Sequence, residues 1–576
     1  MAAASRSGVA AFCVLFALSG CTRDSSPVPP PAAGSVSFTT FTDVVESTGI
    51  HFLHDNGFDG KRYRVEETVN GGLALLDFDL DGRLDVFFTN AQALDAPSPR
   101  VGAGDALYRQ GADRKFTDVS RKAGVDDAGF SLGCSVADLD GDGFPEILVT
   151  RRGANRLLLN GRDGVFRDIA ASAGIASEGI HSGSAFLDMD LDGDLDVYIA
   201  SYTVDPGGDY GPLRVRGVPG YWPPRNYKPA DHHLYENRGD LKFVDVSEAS
   251  GIRNLSTEPG RGLGVISADF NNDGRPDIYV ANDMSANFLF LGDGKGRFAE
   301  QGLSSGAALG DQGEELGSMG LDSADYNGDG ILDICVTNYQ NQINNLYRGS
   351  PTGFFEDMAR SAGVTRGSLP DVSWGTAFQD FDNDGRVDLF IASGHLNPGT
   401  HEMDESTSYA QAKRIYKNID GNRFEDVSPR SGAAISTPHV SRGAAFGDID
   451  DDGDVDVIVM EASGKPEVLR NDLPPGATWC LIELKGVRQN VDAIGARVRI
   501  TAGGRTQLRE KRSSGSYLSA NDPRLHFGLG GAKRIDRLEI DWPDGTKQSF
   551  ADLPVGQLLR ITLGRETVEL PWSLEK

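Results

Sequence analysis

Disulfide pairing, a basic surface and a long membrane-spanning run are all missing from this sequence, and each absence narrows what the chain can do. Of five cysteines, Cys13 and Cys21 fall in the N-terminal leader, which leaves Cys134, Cys335 and Cys480, widely separated and odd in number. That is no disulfide framework. Cys134 and Cys335 sit in apolar strand-like runs and read as small buried side chains. Lysine and arginine total 56 against 84 acidic residues, a formal net charge of −28. Nucleic acid is therefore not expected as a partner, because binding it takes basic stripes that displace counterions. Beyond the leader no apolar stretch approaches transmembrane length. None of the nine histidines lies in a helical zinc motif, and no nucleophile elbow, phosphate loop or Cys/His pair stands in a suitable context. Wholesale disorder is excluded as well, since 39% hydrophobic and 24% charged residues are ordinary for a globular chain.

What the chain does have is one acidic nonapeptide, repeated. Asp77-Phe78-Asp79-Leu80-Asp81-Gly82-Arg83-Leu84-Asp85 places carboxylates at positions 1, 3, 5 and 9 and a glycine at 6. Calcium takes six to eight oxygens at roughly 2.3–2.6 Å, and a chain turning tightly around it supplies them from alternate residues and one backbone carbonyl. The expected ligands are the side chains of Asp77, Asp79, Asp81 and Asp85 and the carbonyl of Arg83. Six further copies follow, so the seven starts span 371 residues at a mean interval of about 62. In the same roles they offer Asp138, Asp140, Asp142, Phe144 and Glu146, then Asp188, Asp190, Asp192, Asp194 and Asp196, then Asp269, Asn271, Asp273, Arg275 and Asp277. The last three offer Asp325, Asn327, Asp329, Ile331 and Asp333, then Asp380, Asp382, Asp384, Arg386 and Asp388, then Asp448, Asp450, Asp452, Asp454 and Asp456. A single copy would be no more than a solvated acidic turn. Seven in register make a metal the simplest reason, with up to seven structural Ca²⁺ expected. Five loops supply four carboxylates and two supply three, 26 in all. Unfilled loops repel themselves, so folding and metal should be linked.

Residues 1–20 carry Arg6 and a short apolar run before Leu18-Ser19-Gly20-Cys21, the pattern of a secretory signal. Its end looks like a bacterial lipoprotein cleavage box, with Cys21 lipidated; a plain signal with a coincidental cysteine is the other reading. Residues 21–35, with Pro27, Pro29, Pro30 and Pro31, read as an extended tether that would hold a folded domain off a membrane.

From 36 to 473 each repeat follows one plan. A small apolar run enters the loop (Ala74-Leu75-Leu76), a β-rich run leaves it (Val86-Phe87-Phe88), a third run follows (Leu107-Tyr108), and a fourth is marked by Phe-x-Asp/Glu at Phe41, Phe116, Phe166, Phe243, Phe298, Phe355 and Phe424. Nearly continuous apolar runs suit strands buried on both faces. Four strands per unit and seven units predict an all-β, seven-bladed β-propeller. The stretch opens on a fourth-strand element and closes on a third, so one blade is split between its ends and pairing them closes the ring. An insertion, residues 205–230, contains Tyr221, Trp222 and Arg225 and reads either as a recognition surface or as a cover over one face. Residues just before the loops, among them Arg261, Trp374 and Arg442, should flank the central channel, where small neighbours let the blades crowd the axis. Those three side chains could instead line an anion or sugar site at its mouth. After Pro474 and Pro475, residues 474–576 lack the loop and alternate as a small β domain packed on or tethered to the propeller.

The loops resemble the FG-GAP or VCBS-type repeats of integrin α-subunit propellers. Asn490-Val491-Asp492-Ala493-Ile494-Gly495-Ala496-Arg497-Val498, His526-Phe527-Gly528-Leu529-Gly530 and Asp541-Trp542-Pro543-Asp544-Gly545 resemble an ASPIC/UnbV domain. Together they are similar to bacterial members of the cartilage acidic protein family. The resemblance implies structural Ca²⁺ at the loop residues, position by position, with weaker sites where Glu146, Asn271 and Asn327 depart from the commonest pattern. It names no agreed biochemical activity. The expectation is an exported lipoprotein of the outer membrane or cell surface, anchored by lipid, binding or adhering to a protein or glycan partner. The alternatives are a propeller enzyme acting on polysaccharide and an accessory factor of an exported pathway. No catalytic residue is assigned, because most loop carboxylates are already allotted to metal.

Overall fold

The computed structural model describes residues 38–94, 104–205, 211–255, 257–486 and 490–571. The expected leader, the Cys21 lipidation site and the Pro-rich tether lie outside them. Each repeat folds into a four-stranded antiparallel sheet. The first is built from Leu73–Leu76, Asp85–Phe88, Ala106–Gln110 and Phe116–Asp118 in that order. Six more start from the strands Ser131–Ala137, His181–Leu187, Gly262–Ala268, Leu321–Ala324, Ser373–Gln379 and Ser441–Gly447. Each of these inner strands lies against the next, and the last returns to the first, so seven sheets close a ring as propeller blades. The split blade is present: Phe41–Asp43 pairs with Glu467–Asn471, Phe41 opposite Asn471 and Asp43 opposite Leu469.

Strands that leave the loops are buried at every position in Asp85–Phe88 and Asp196–Ser201, because each sheet is covered on both faces by its neighbours. Leu73, Val86 and Phe88 of the first sheet share a core with Ala445 and Ile458 of the last. Each of these side chains but Ala445 contributes roughly 1.5–3 kcal/mol on burial. Around the outer rim, six short helices follow the fourth strands and end at Gly49, Gly124, Gly174, Gly251, Gly306 and Gly363 in the left-handed conformation. A Cβ at Gly49 would stand 2.5 Å from the Phe116 carbonyl oxygen of the next blade, and one at Gly432 would stand 2.6 Å from that of Phe41. Glycine there supplies both the positive φ and the close approach.

The C-terminal part forms two four-stranded sheets. One orders Leu525–Gly530, Thr478–Lys485, Gln557–Thr562 and Val568–Glu569; the other orders Arg505–Glu510, Arg497–Ala502, Ile535–Asp541 and Lys547–Leu553. They enclose a core that includes Ile482, Val498, Phe527, Ile540 and Ile561. This part is more than packed on the ring, because the connection between Glu510 and Leu525 runs into its axis. Segment 513–522 reaches the innermost strand of every blade. The amides of Leu75, Cys134, Phe186, Leu321, Thr376 and Phe446 donate to Ala520 O, Leu518 O, Ser513 Oγ, Ser516 O, Ser516 Oγ and Asn521 Oδ1 at 2.8–3.2 Å. Ser514 Oγ donates to Val265 O at 3.1 Å. The small residues expected to let blades crowd the axis make room for this segment: a Cβ at Gly72 would meet Leu518 O at 2.2 Å.

Candidate functional site

The first acidic loop is wound around its own position 1. The Asp77 carboxylate accepts the amides of Asp81 at 3.0 Å and Gly82 at 2.8 Å. Gly82 takes φ +82°, and the corresponding glycine of every other loop is also left-handed. Position 4 is left-handed too, at Leu80, Gly141, Leu191, Asn272, Gly328, Asn383 and Asp451. Gly, Asn and Asp suit that conformation, whereas Leu80 and Leu191 are strained by it. The Asp81 carboxylate accepts the amide of Arg83 at 3.1 Å.

Position 9 does something the nonapeptide alone does not reveal. Asp85 accepts the Phe78 amide with one oxygen, at 3.1 Å, and the Gln110 amide at the end of the third strand with the other, at 2.7 Å. The equivalent strand-end amide is Asn160, Asn237, Gly292, Gly349, Asn418 and Asn471 in the remaining blades, each bonded to its own position 9 carboxylate. Four of these residues also staple a neighbour. The side-chain amides of Gln110, Asn160, Asn418 and Asn471 donate to the position 2 carbonyls of the preceding loops, Ile449, Phe78, Tyr326 and Phe381, at 2.8–2.9 Å. The signal was the Asn or Gln closing the third strand.

Positions 1, 3 and 9 converge. Ligand oxygens of Asp77, Asp79 and Asp85 lie within 4.8 Å of one another, as do those of Asp138, Asp140 and Glu146, of Asp188, Asp190 and Asp196, and of Asp380, Asp382 and Asp388. Buried oxygens of Asp79, Asp382 and Asp450, all at position 3, have no hydrogen-bond donor. Burial first, and then neighbouring carboxylates, push Asp77 up to about 6, Asp188 and Asp380 to about 7, and Asp85 to about 8. Burial alone is the leading cause at Glu146, raised to about 9, and at Asp277, Asp333 and Asp456, held well above the usual carboxylate range. Convergent, desolvated oxygens, free of donors at position 3, are what a hard cation requires, so these acidic clusters can hold metal ions. Several loops already face a cation: Arg109 pairs with Asp79 and Asp81, Arg162 with Asp142, Arg497 with Asp269, and Lys417 with Asp382 and Asp384.

The six residues expected near a ligand surface separate into three groups. Trp374 and Arg442 come together, with the Arg442 guanidinium 4.3 Å from the Trp374 ring and Tyr517 edge-on to that ring at 5.0 Å. Arg442 is buried and donates to the carbonyls of Thr68, Gly394 and His395. Arg261 holds the insertion, donating to Tyr227 O at 3.0 and 3.2 Å. Tyr221 is buried with its hydroxyl 3.3 Å from Glu67, Trp222 donates to Gly211 O at 3.0 Å, and Arg225 stands exposed 3.4 Å from Glu315.

A cleft of about 530 Å³ separates the first acidic loop from the C-terminal sheets and is lined by Asp77, Asp81, Leu484, Lys511 and Arg560, among others. Sequence reasoning missed it, because its walls come from segments some 400 residues apart, 77–84 and 483–560.

The FG-GAP-like repeat family profile matches residues 77–149, 138–199, 227–280, 269–336 and 325–391, and the ASPIC and UnbV profile matches residues 486–568. Cartilage acidic protein 1 of Homo sapiens is 28% identical over 351 residues, which cover 59% of this chain and 49% of that protein. Its counterpart in Mus musculus is 27% identical over 374 residues, covering 63% and 52%. The match thus spans about half the length of these relatives. Among solved structures, an Agrocybe aegerita lectin that recognises non-reducing terminal N-acetylglucosamine superimposes with a TM-score of 0.38 at 15% identity, covering 64% of this chain and 87% of that one.

Proposed function

The chain belongs to the FG-GAP-like repeat proteins and carries a C-terminal ASPIC and UnbV domain, and from that premise we propose that it is an exported, lipid-anchored, calcium-stabilised module that binds a protein or glycan at a cell surface. The observation that carries this reading is the convergence of positions 1, 3 and 9 in the acidic loops, joined to donor-free buried oxygens at position 3. Calcium, when bound, supplies the positive charge that these carboxylates lack and fixes the loop ends of the blades. This chain's residues do the rest. The strand-end amides hold position 9 in place, the glycines at 6 admit the turn, and segment 513–522 keeps the ring rigid, so the surfaces between loops present a fixed shape. Extracellular calcium modules bind at roughly 0.1–1 mM, which an exported protein meets and a cytosolic one does not. Cys21, as the first residue of the mature chain, would carry the anchor.

The test is a thermal melt of residues 22–576 in millimolar Ca²⁺ and in excess chelator, with bound metal counted in parallel. A site at tenfold saturation contributes about 1.4 kcal/mol, so seven would give on the order of 10 kcal/mol. A large calcium-dependent rise with about seven ions per chain is expected. An unchanged melt with few ions would remove the metal from this account. Retention of the loaded chain on protein and glycan arrays, without turnover of what it binds, tests the binding role.

A further inference from the structure

The cleft between the first acidic loop and the C-terminal sheets has an unusual charge census. Five of its lining cations already have carboxylate partners. Arg83 pairs with Asp81, Lys485 and Arg560 with Glu483 at 3.2 and 2.8 Å, Arg512 with Asp322 at 2.8 Å, and Arg524 with Asp522 at 2.8 Å. Lys511, which also lines the cleft, is 6% exposed, and its ammonium donates to the Pro523 carbonyl. Asp492, Asp522 and Glu483 act on it only from beyond ion-pair distance among the described residues. A buried ammonium with no carboxylate in ion-pair contact is costly, and a ligand that brings one relieves that cost.

The rest of the wall says what kind of molecule would do so. Leu80, Val136, Leu484 and Leu558 are among its lining residues, Leu80 is 46% exposed, and among the described residues no aromatic side chain lines the cleft. Sugar rings pack best on aromatic faces, whereas aliphatic walls suit aliphatic side chains. At about 530 Å³ the space matches the size of ordinary ligand pockets. Asp77 and Asp81 border the same space. Asp81 is already paired with Arg83 and Arg109, so the charge that opposes an acidic ligand at the empty loop is chiefly that of Asp77, and a cation in the loop removes it. We propose that this cleft binds an acidic–aliphatic peptide segment of a partner protein, placing one carboxylate against Lys511, in a manner that requires a cation in the first loop. The proposal deepens the binding-module reading and rests on it.

The experiment titrates residues 22–576, in millimolar Ca²⁺, against labelled octapeptides with one glutamate among leucine and valine, against their glutamine counterparts, and against oligogalacturonate. Glutamate peptides should bind at least tenfold more tightly than glutamine ones, K511M should erase that difference, and chelator should weaken binding at least tenfold. L80N, which suits the left-handed backbone at that position, should keep the fold and weaken peptide binding severalfold even if K511M folds poorly. The proposal is overturned if neither variant changes affinity, if glutamate gives no preference, or if only the uronate binds through Lys511. Retention of other proteins or glycans that is indifferent to both variants would sink this proposal and leave the binding-module reading standing. Failure of every array would end both.

Discussion

Two arcs of the ring fasten their acidic loops differently. Loops starting at Asp325, Asp380, Asp448 and Asp77 each receive a side-chain amide from the following blade, from Asn418, Asn471, Gln110 and Asn160. Loops starting at Asp138, Asp188 and Asp269 receive none among the described residues. Asn237 turns its amide back to Leu195 of its own blade, and Gly292 and Gly349 have no side chain to offer. The reason at the glycines is steric: a Cβ at Gly292 would lie 2.3 Å from Pro276 O, and one at Gly349 2.5 Å from Leu332 O. The C-terminal sheets stand in on this arc. Asp492 accepts the Asp138 amide at 2.8 Å, Glu510 accepts that of Asp269 at 3.0 Å, and Arg497 pairs with Asp269 at 3.0 Å. The loop at Asp188 shares a cleft of about 160 Å³ with Trp542 and Pro543. The C-terminal sheets also touch Asn383 and Gly453, but there the amide staple is present as well. One arc is thus stapled by side-chain amides at position 2. The other is tied to the C-terminal part, with the Gly296 amide on Met189 O at 3.2 Å and the Asn272 side chain on Gly330 O at 3.4 Å as further links between its blades.

The largest effect should come from ending the chain at residue 473. Six inner-strand amides would lose acceptors in the axis, each at roughly 1–3 kcal/mol if left unpaired, against a typical total stability of 5–15 kcal/mol. Loss of a single cooperative melt is expected. Any calcium still bound should number about four ions rather than seven, because only the stapled arc keeps its fastening. Calorimetry with metal counting reads both, and a truncated chain that melts cooperatively with a full complement of ions would refute the distinction between the arcs.

Next in size is the response of the calcium-free protein to pH. The folded carboxylates titrate above their unfolded values, at about 6 for Asp77, 7 for Asp188, 8 for Asp85 and 9 for Glu146. Groups raised in this way stabilise the fold below the unfolded range near pH 4, and that contribution is lost as pH rises through 6 to 9. In chelator, melts should therefore fall from pH 5 to pH 9 by an amount on the order of several kcal/mol. In calcium the trend should flatten or reverse, since metal binds the deprotonated oxygens. Chelated melts that are level across this range would show that the loops are solvated turns.

The seven-fold plan was legible because its signals are local and repeated. The Phe-x-Asp/Glu marks fall on the fourth strands without exception, from Phe41–Asp43 to Phe424–Asp426, and the split blade follows from their phase. The same interval also separates each marker phenylalanine from a glycine, Phe41 from Gly49 and Phe424 from Gly432, which was an unread signal for the short rim turns. What the sequence hides is contact across long separations. Nothing in Ser513-Gly515-Tyr517 as residue types says that this stretch reaches seven strands, because its partners are backbone groups that every sequence possesses. Lys511 likewise looks like any solvated lysine until burial is known.

Asn160→Ala and Asn237→Ala compare the arcs directly. N160A removes the staple on Phe78 O and should cost about 1 kcal/mol, weakening calcium at the first loop by three- to tenfold. N237A should leave the loop at Asp138 unchanged, because its amide never reached that loop. Calcium titration by calorimetry distinguishes the two, and equal losses of neighbouring-loop affinity would show that the staples do not couple the sites.

The smallest effect, and the one whose sign depends on calcium, belongs to Asp492→Asn. Asp492 accepts the Asp138 amide, and its negative charge is, after burial, the leading reason that Asp138 is pushed up to about 7. Asparagine keeps an acceptor oxygen and removes the charge. In chelator at pH 8 the like-charge repulsion is relieved, so the melt should rise slightly, by the order of 0.5 kcal/mol at this half-buried position. With calcium present the same loss of negative charge should weaken the loop at Asp138 by about two- to fivefold. A variant that is less stable in both conditions would mean that Asp492 acts only through the geometry of its hydrogen bond, and that the C-terminal part fastens this arc without sharing its electrostatics.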